Sequence, residues 1–334
     1  MDIIICTYNR PAKVLGLVKN ILACVIKPKS IIIIDSSDEI NDEIKNLVNI
    51  IYCRSNHKNQ PYQRYLGVMH AKSDYILFLD DDMVIIDSNF LVRIRDILEQ
   101  ESADGLALNF NDRYQDTTLA AVPNSLLFNN LKGLKKIKNW ATGYPDLDEG
   151  KLGFCGNRGK QPLSIQGTEY VSGGAFIAKR SKLFQNFNFQ LFDLFEQGIG
   201  MGEDALIGYG IHKQGKLLFV PEVMFVHDDQ KDSTYSANIY DYAKRVLFSR
   251  LYLSLEKTRI DNSRESRAKI HFYWYAFWRL TGLFFNFLIK SSSKRKKMLF
   301  GSFKGLRMAV EFQFCRNLQR NQYWMNEIEK NSIN

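Results

Sequence analysis

Over the first hundred positions, short unbroken apolar runs alternate with longer amphipathic stretches. DIIIC (2–6) and SIIIID (30–35) are rich in β-branched residues and lack the apolar–polar alternation of a half-solvated strand. Such runs suit strands covered on both faces. NIIYCR (49–54) and YILFL (75–79) have the same character. Between them Val14, Leu17, Val18, Ile21, Leu22 and Val25 recur at helical spacing behind Pro11, a residue suited to a first helical turn. Residues 62–73 and 90–100 form two further helical stretches. Strands alternating with helices predict a mostly parallel sheet with helices on both faces. Ligands of such sheets bind beyond the carboxyl ends of the strands. Residues 7–10, 35–38 and 80–82 each follow a strand and are predicted to share one rim.

Downstream the periodicity weakens. Residues 111–166 are polar and carry Gly and Pro, the character of a substrate loop or lid. Strand-like EYVSGGAFIAKR, Gly-rich FEQGIGMGEDALIGYG and strand-like LLFVPEVMFVHDD follow, and from about Ser236 the pattern is helical, aromatic and basic. The pattern divides the chain into a domain over 1–235, with halves at 1–110 and 111–235, and a helical region over 236–334.

With 334 residues, 45% hydrophobic and 24% charged, the chain can bury a sizeable core. Its net charge of +9 is uneven: residues 257–320 hold 15 Lys and Arg against three acids, which leaves the remainder net negative. Five scattered cysteines without CxxC or Cys/His spacing argue for reduced thiols and against zinc. MDIIICTYNR lacks the basic and long apolar regions of a secretory signal, so a cytoplasmic protein is expected.

YILFLDDDMV (75–84) drives an apolar strand straight into Asp80, Asp81 and Asp82. Adjacent carboxylates raise one another's pKa unless positive charge sits among them, and a divalent cation would supply it. Two other readings fit the same residues: a solvated acidic turn, and the nucleophile motif of haloacid-dehalogenase phosphatases with Asp80 attacking phosphate. Neighbouring segments bear on the choice. TYNRP, DSSD, QRYLG, FLDDD, GG and GED stand in the order found in family-2 inverting glycosyltransferases, which the chain resembles over roughly residues 1–230. The resemblance implies an α/β GT-A fold, Rossmann-like and mostly parallel, followed here by an α-helical region.

The resemblance also implies roles for individual residues. Thr7, Tyr8, Asn9 and Arg10 would shape the base and ribose pocket, although Asn9 also suits a helix cap. Asp35, with Ser37 nearby, would accept a hydrogen bond from base or ribose. Arg64 would contact the diphosphate or base pocket; the Asn that usually follows it is Tyr65 here. Asp80 would face the donor ribose, Asp81 would support from behind, and Asp82 would hold Mg2+ or Mn2+. His227, at the end of an apolar run, would be a further metal ligand. Gly173 and Gly174 would line the sugar side, or form a β-bulge. In GED, Asp204 would be the general base and Glu203 would orient it or the acceptor. The helix dipole alone also accounts for acids at that position. The donor would be a UDP-, dTDP- or GDP-linked sugar and the acceptor a glycan or lipid-linked glycan of the kind used in bacterial surface polysaccharide assembly.

HFYWYAFWRLTGLFFNFLIK is the most apolar stretch, and nine of the 18 residues from 272 to 289 are aromatic. Eighteen residues at ~1.5 Å each fall just short of a ~30 Å hydrocarbon core, and Arg279 lies mid-stretch. With basic KSSSKRKK behind it, the segment is expected to lie on the inner face of the cell membrane; the alternative is a helical cap on the catalytic domain. No nucleic-acid motif accompanies the charge.

Overall fold

The computed structural model describes residues 1–45, 47–112, 148–228, 238–314, 323–324 and 326–327. The loop expected over 111–166 lies outside these residues from 113 to 147, as does the boundary expected near 235.

The predicted strands form where the β-branched runs place them. β1 (Asp2–Thr7), β2 (Ser30–Asp35), β3 (Ile50–Arg54) and β4 (Tyr75–Asp80) run parallel in the order β3-β2-β1-β4. Their side chains alternate between two buried faces, as unbroken apolar runs require. Ile3, Ile5, Ile31 and Ile33 pack against Val14, Leu17, Val18 and Ile21 of α1 (Pro11–Ala23). Ile4, Ile32 and Ile34 point the other way, onto Tyr62 and Leu66 of α3 (Gln60–His70). Each fully buried isoleucine contributes about 1.5–3 kcal/mol relative to exposure. Val25, predicted to continue the stripe of α1, lies beyond its end and is exposed. A short α2 (Asp42–Lys45) precedes β3.

Beyond β4 the sheet becomes mixed. β8 (Ala175–Lys179) runs antiparallel to β4 and to β6 (Gly105–Asp112), and β9 (Leu217–His227) returns parallel to β6. β5 (Met83–Ile85) closes the far edge, and β7 (Gln166–Gly167) pairs with β9. α4 (Phe90–Glu101) links β5 to β6.

The later helices are α5 (Arg180–Asn186), α6 (Phe189–Glu196), α7 (Glu203–Gln214), α8 (Ile239–Ile260), α9 (Glu265–Ile289) and α10 (Ser293–Phe314). Leu247, Phe248, Leu251 and Tyr252 of α8 share a core with Phe272 and Tyr275 of α9, Ala309 of α10, and Leu191, Leu194 and Leu206 of α6 and α7. A Cβ at Gly301 or Gly305 would run into the backbone of α8 at Tyr240 and Lys244, so these glycines set how closely α10 approaches. The inner side of the C-terminal helices is thus docked on α6 and α7. No described helix is long and apolar enough to cross a membrane. Further on, buried Trp324 packs on Tyr62 and Phe192 and donates from Nε1 to Asp193 Oδ1 at 2.7 Å.

Candidate active site

Strand register builds the rim. Thr7 pairs with Asp35, Asp35 with Arg54, and Cys6 with Asp80, so the segments following β1, β2 and β4 emerge side by side.

The three aspartates meet different partners. Asp81 is buried: its Oδ2 accepts from Thr7 Oγ1 at 2.7 Å and its Oδ1 from Arg10 Nη1 at 3.1 Å. The same Arg10 nitrogen lies 2.7 Å from Asp82 Oδ2, and His227 Nε2 lies 3.0 Å from Asp82 Oδ1. Asp80 Oδ1 accepts from Gln60 Nε2 at 3.3 Å and Arg64 Nη2 at 3.2 Å. The positive charge that three adjacent acids demand is therefore supplied in part by the protein's own arginines. Burial pushes the Asp80 carboxyl up to about 7 despite Arg64, with Asp82 and Asp81 adding to the rise. Burial also raises Asp81 against Thr7 and Arg10. At Asp82 burial is outweighed by His227 and Arg10, and the carboxyl lies below its ordinary range.

The Asp82–His227 pair offers one carboxylate and one imidazole to a cation. Among the described residues no group of three or more ligating side chains gathers. Mg2+ is usually held by one or two carboxylates together with water and substrate phosphates, so the Asp82 carboxylate is the donor here that suits such an ion, with the His227 imidazole the softer of the two.

A second acidic cluster faces the first. Gly202, at φ +88°, caps α7 in the left-handed region that favours glycine, and Glu203 and Asp204 fill the first turn. Arg64 Nη1 reaches Glu203 Oε1 at 2.6 Å while Arg64 Nη2 bonds Asp80 and, at 2.9 Å, the carbonyl of Gly173. Asp204 Oδ2 accepts from Arg158 Nη2 and the Gly173 N–H, both at 2.7 Å, and its Oδ1 from the Ala205 N–H at 2.8 Å. Burial raises both carboxyls. At Asp204 the pull of Arg158 and Arg64 prevails and the group lies below its ordinary range; Glu203, with Asp204 alongside, stays above.

Three expectations change. Arg64, predicted to contact diphosphate or base, is only 2% exposed and spends its donors on Asp80, Glu203 and Gly173, so it is a strut between the two acidic motifs. Gly174, predicted to line the sugar side, is dictated by packing, since a Cβ there would strike Met83 and Phe110. Gly173 lies against the Arg64–Asp204 cluster: a Cβ would come within 3.1 Å of Arg64 Nη2 and 3.3 Å of Asp204 Oδ2. Asn9 does not cap α1, whose cap position is Arg10. At φ +52° it reaches instead across to the turn after β2, donating from its N–H to Ser37 Oγ and from Nδ2 to Asp38 Oδ2, both at 2.7 Å.

On that outer side, Lys58 Nζ donates to the Tyr8 hydroxyl at 2.7 Å and to Asp38 Oδ1 at 3.0 Å. Asp35 is buried below, accepting from the Ser37 N–H at 2.7 Å, from the Tyr52 hydroxyl and from Arg54 at 3.5 Å. Lys58, Gln60 and Arg158 stand outside the motifs marked in the sequence, and Gln63 enters only as the first residue of QRYLG. Gln63 binds the carbonyls of Thr7 and Ile34 at 3.1 and 2.9 Å, tying β1 and β2 to α3. Gln60, Gln63 and Arg64 fall at i, i+3 and i+4, a polar stripe on a largely buried helix that could have marked its rim-facing side. Arg158, among turn glycines, carried no such signal.

The profile of glycosyl transferase family 2 matches residues 2–153. Among solved structures, S. aureus TarS 1-349 in complex with UDP-GlcNAc aligns over 93% of this chain and 80% of its own, at 13% identity and a TM-score of 0.52. S. aureus TarS 1-349 alone aligns over 96% of this chain and 92% of its own, at 12% identity and a TM-score of 0.44. No curated protein matches by sequence. The family match sets aside the phosphatase reading of Asp80. The match over residues 2–153 thus places that part of the chain in glycosyl transferase family 2, and the sheet with its helical C-terminal region shares the GT-A fold of the TarS structure.

Proposed function

We propose that the chain transfers a glycosyl group from a nucleoside-diphosphate sugar to an acceptor hydroxyl with inversion, using Mg2+ or Mn2+ held by Asp82 and His227. The observation that carries this reading is Arg64, which joins Asp80 to Glu203 across 123 positions of sequence and sets a donor-side acid cluster against a second acidic pair. The UDP-GlcNAc bound by TarS makes UDP the first nucleotide to try.

The exposed cluster of Tyr8, Asn9, Ser37, Asp38 and Lys58 would receive the nucleoside, with Asp35 and Tyr52 beneath it. Arg10 and Thr7 hold Asp81 and Asp82 in place. The metal, when bound, would neutralise charge on the departing diphosphate. Asp204 is held ionised by Arg158 and the Gly173 N–H. Three hydrogen bonds occupy three of the roughly four acceptor positions of its carboxylate, leaving one on Oδ1 to take the acceptor's proton. As the acceptor oxygen bonds the anomeric carbon, the bond to the diphosphate breaks on the opposite face, and Asp204 takes the hydroxyl proton. A glycan or lipid-linked glycan of surface polysaccharide assembly is the acceptor class this reading favours.

Titration calorimetry of the whole chain with UDP, GDP and dTDP, with and without Mn2+, tests the reading. Binding of one nucleotide that needs Mn2+ and disappears in Asp82→Ala is expected. No nucleotide binding in any condition would refute it.

A further inference from the structure

α9 is buried on one side only. Tyr273, Trp274, Phe277, Phe284, Phe285 and Leu288 lie on its outer side, 37–59% exposed. Positions 273, 277, 284 and 288 fall at intervals of four, seven and four, which keeps them on one stripe of a helix. α10, packed beside α9 through Leu280, Leu283 and Leu299, has an exposed side of its own. Lys296, Phe300, Phe303, Lys304 and Arg307 share one face of that helix, and Phe303 is next, around the helix, to Leu299 and Leu306 on its buried side. Residues 265–314 carry ten Lys and Arg against Glu265 and Glu311.

We infer that the outer face of α9 and α10 docks on an anionic lipid bilayer, lying in its interface without crossing it. Three observations choose this occupant. Aromatic side chains interspersed with lysine and arginine suit the headgroup region, where rings sit at the boundary and cations meet anionic lipid. A second copy of the chain would bring two strongly basic faces together, and lysine is depleted in protein interfaces. Crossing is disfavoured by Arg279 in mid-helix, bonded to the Tyr275 hydroxyl at 3.2 Å, and no described helix is long and apolar enough.

The inner side of the same unit braces the acidic pair. Arg245 Nη2 of α8 donates to the Gly200 carbonyl at 2.7 Å and Ser249 Oγ to the Ile199 carbonyl at 3.2 Å, while Leu253 lies against Gly202. A bilayer held by α9 and α10 is thereby mechanically connected to the turn that presents Glu203 and Asp204. The docking does not depend on the donor reading and stands or falls separately from it.

The test is flotation of the whole chain with vesicles of phosphatidylcholine alone or mixed with phosphatidylglycerol. Two variants accompany it: Trp274→Ser with Phe277→Ser and Phe285→Ser, and Lys296→Glu with Lys297→Glu. The chain should float with the mixed vesicles and, at the same salt, much less with phosphatidylcholine. Each variant should weaken binding by roughly tenfold or more. The lysine pair is exposed, so its reversal tests the idea even if the aromatic variant folds poorly. Failure of the chain to float, or binding unchanged by the lysine variant, would overturn it. So would a dimer in light scattering that the aromatic variant dissolves while vesicle binding is absent; the face would then join two copies.

Discussion

The two acidic clusters are neutralised in different ways. At Asp81 and Asp82 the counter-charges are partly exposed, with Arg10 at 31% and His227 at 23%. At Glu203 the partner is Arg64, at 2%. An exposed guanidinium can yield to a cation and a diphosphate at small cost, whereas a buried one cannot leave without stranding its carboxylates. The donor side is adjustable and Glu203 is fixed, while Asp204 combines a partly exposed partner, Arg158 at 36%, with two backbone N–H donors that hold its carboxylate in place.

The sharpest way to break this contrast is through the base itself. Asp204→Asn should lower kcat by about 10²–10⁴-fold, measured as transfer from the nucleotide sugar that calorimetry identifies, with nucleotide affinity nearly unchanged. Comparable loss of nucleotide binding would place Asp204 on the donor side instead. Next in size is the difference between the arginines. Arg64→Met should cost about 3–5 kcal/mol in urea unfolding because Glu203 is left buried and unpaired. Arg10→Gln should cost less, because its guanidinium is partly exposed and Thr7 and His227 still face Asp81 and Asp82. Adding Glu203→Leu to Arg64→Met should restore much of the stability but not the activity, separating the strut's structural part from its positioning part.

A smaller, directional effect belongs to Arg158. It pulls the Asp204 carboxyl down, so Arg158→Gln should let that group rise and move the acid limb of the kcat/KM profile to higher pH. An unmoved limb would mean that Asp204 is not the group titrating. Smallest of all, burial pushes the Cys6 and Cys155 thiols up to about 12, so both should stay unlabelled by iodoacetamide at mildly alkaline pH in the folded protein. Labelling of Cys6 without unfolding would show that the strands under the rim open more readily than their packing implies.

The adjustable side was the more legible in sequence. β-branched runs ending in TYNR, DSSD and DDD fixed both the strands and the rim, because a parallel strand carries its function at its own end. The fixed side was not. Arg64 lay on a predicted helix, yet its partners stand 16, 109 and 139 positions away, and periodicity reports a residue's face and nothing of what it meets. Arg158 sits in Gly-rich sequence without periodicity, and the clash that keeps Gly174 small comes from Phe110 and Met83, both remote along the chain. The turn to antiparallel pairing at β8 was hidden for the same reason: an unbroken apolar run shows that a strand is buried on both faces and leaves its direction open.

The claim that Asp82 and His227 receive the metal is tested most directly by crystals grown with Mn2+ and the nucleotide chosen by calorimetry, with diffraction data collected at the manganese edge. One anomalous peak at about 2.0–2.2 Å from an Asp82 oxygen and from His227 Nε2, bridged to the diphosphate, is the predicted result. A peak seated on Asp204 and Glu203, or nucleotide bound with no peak beside Asp82, would contradict it.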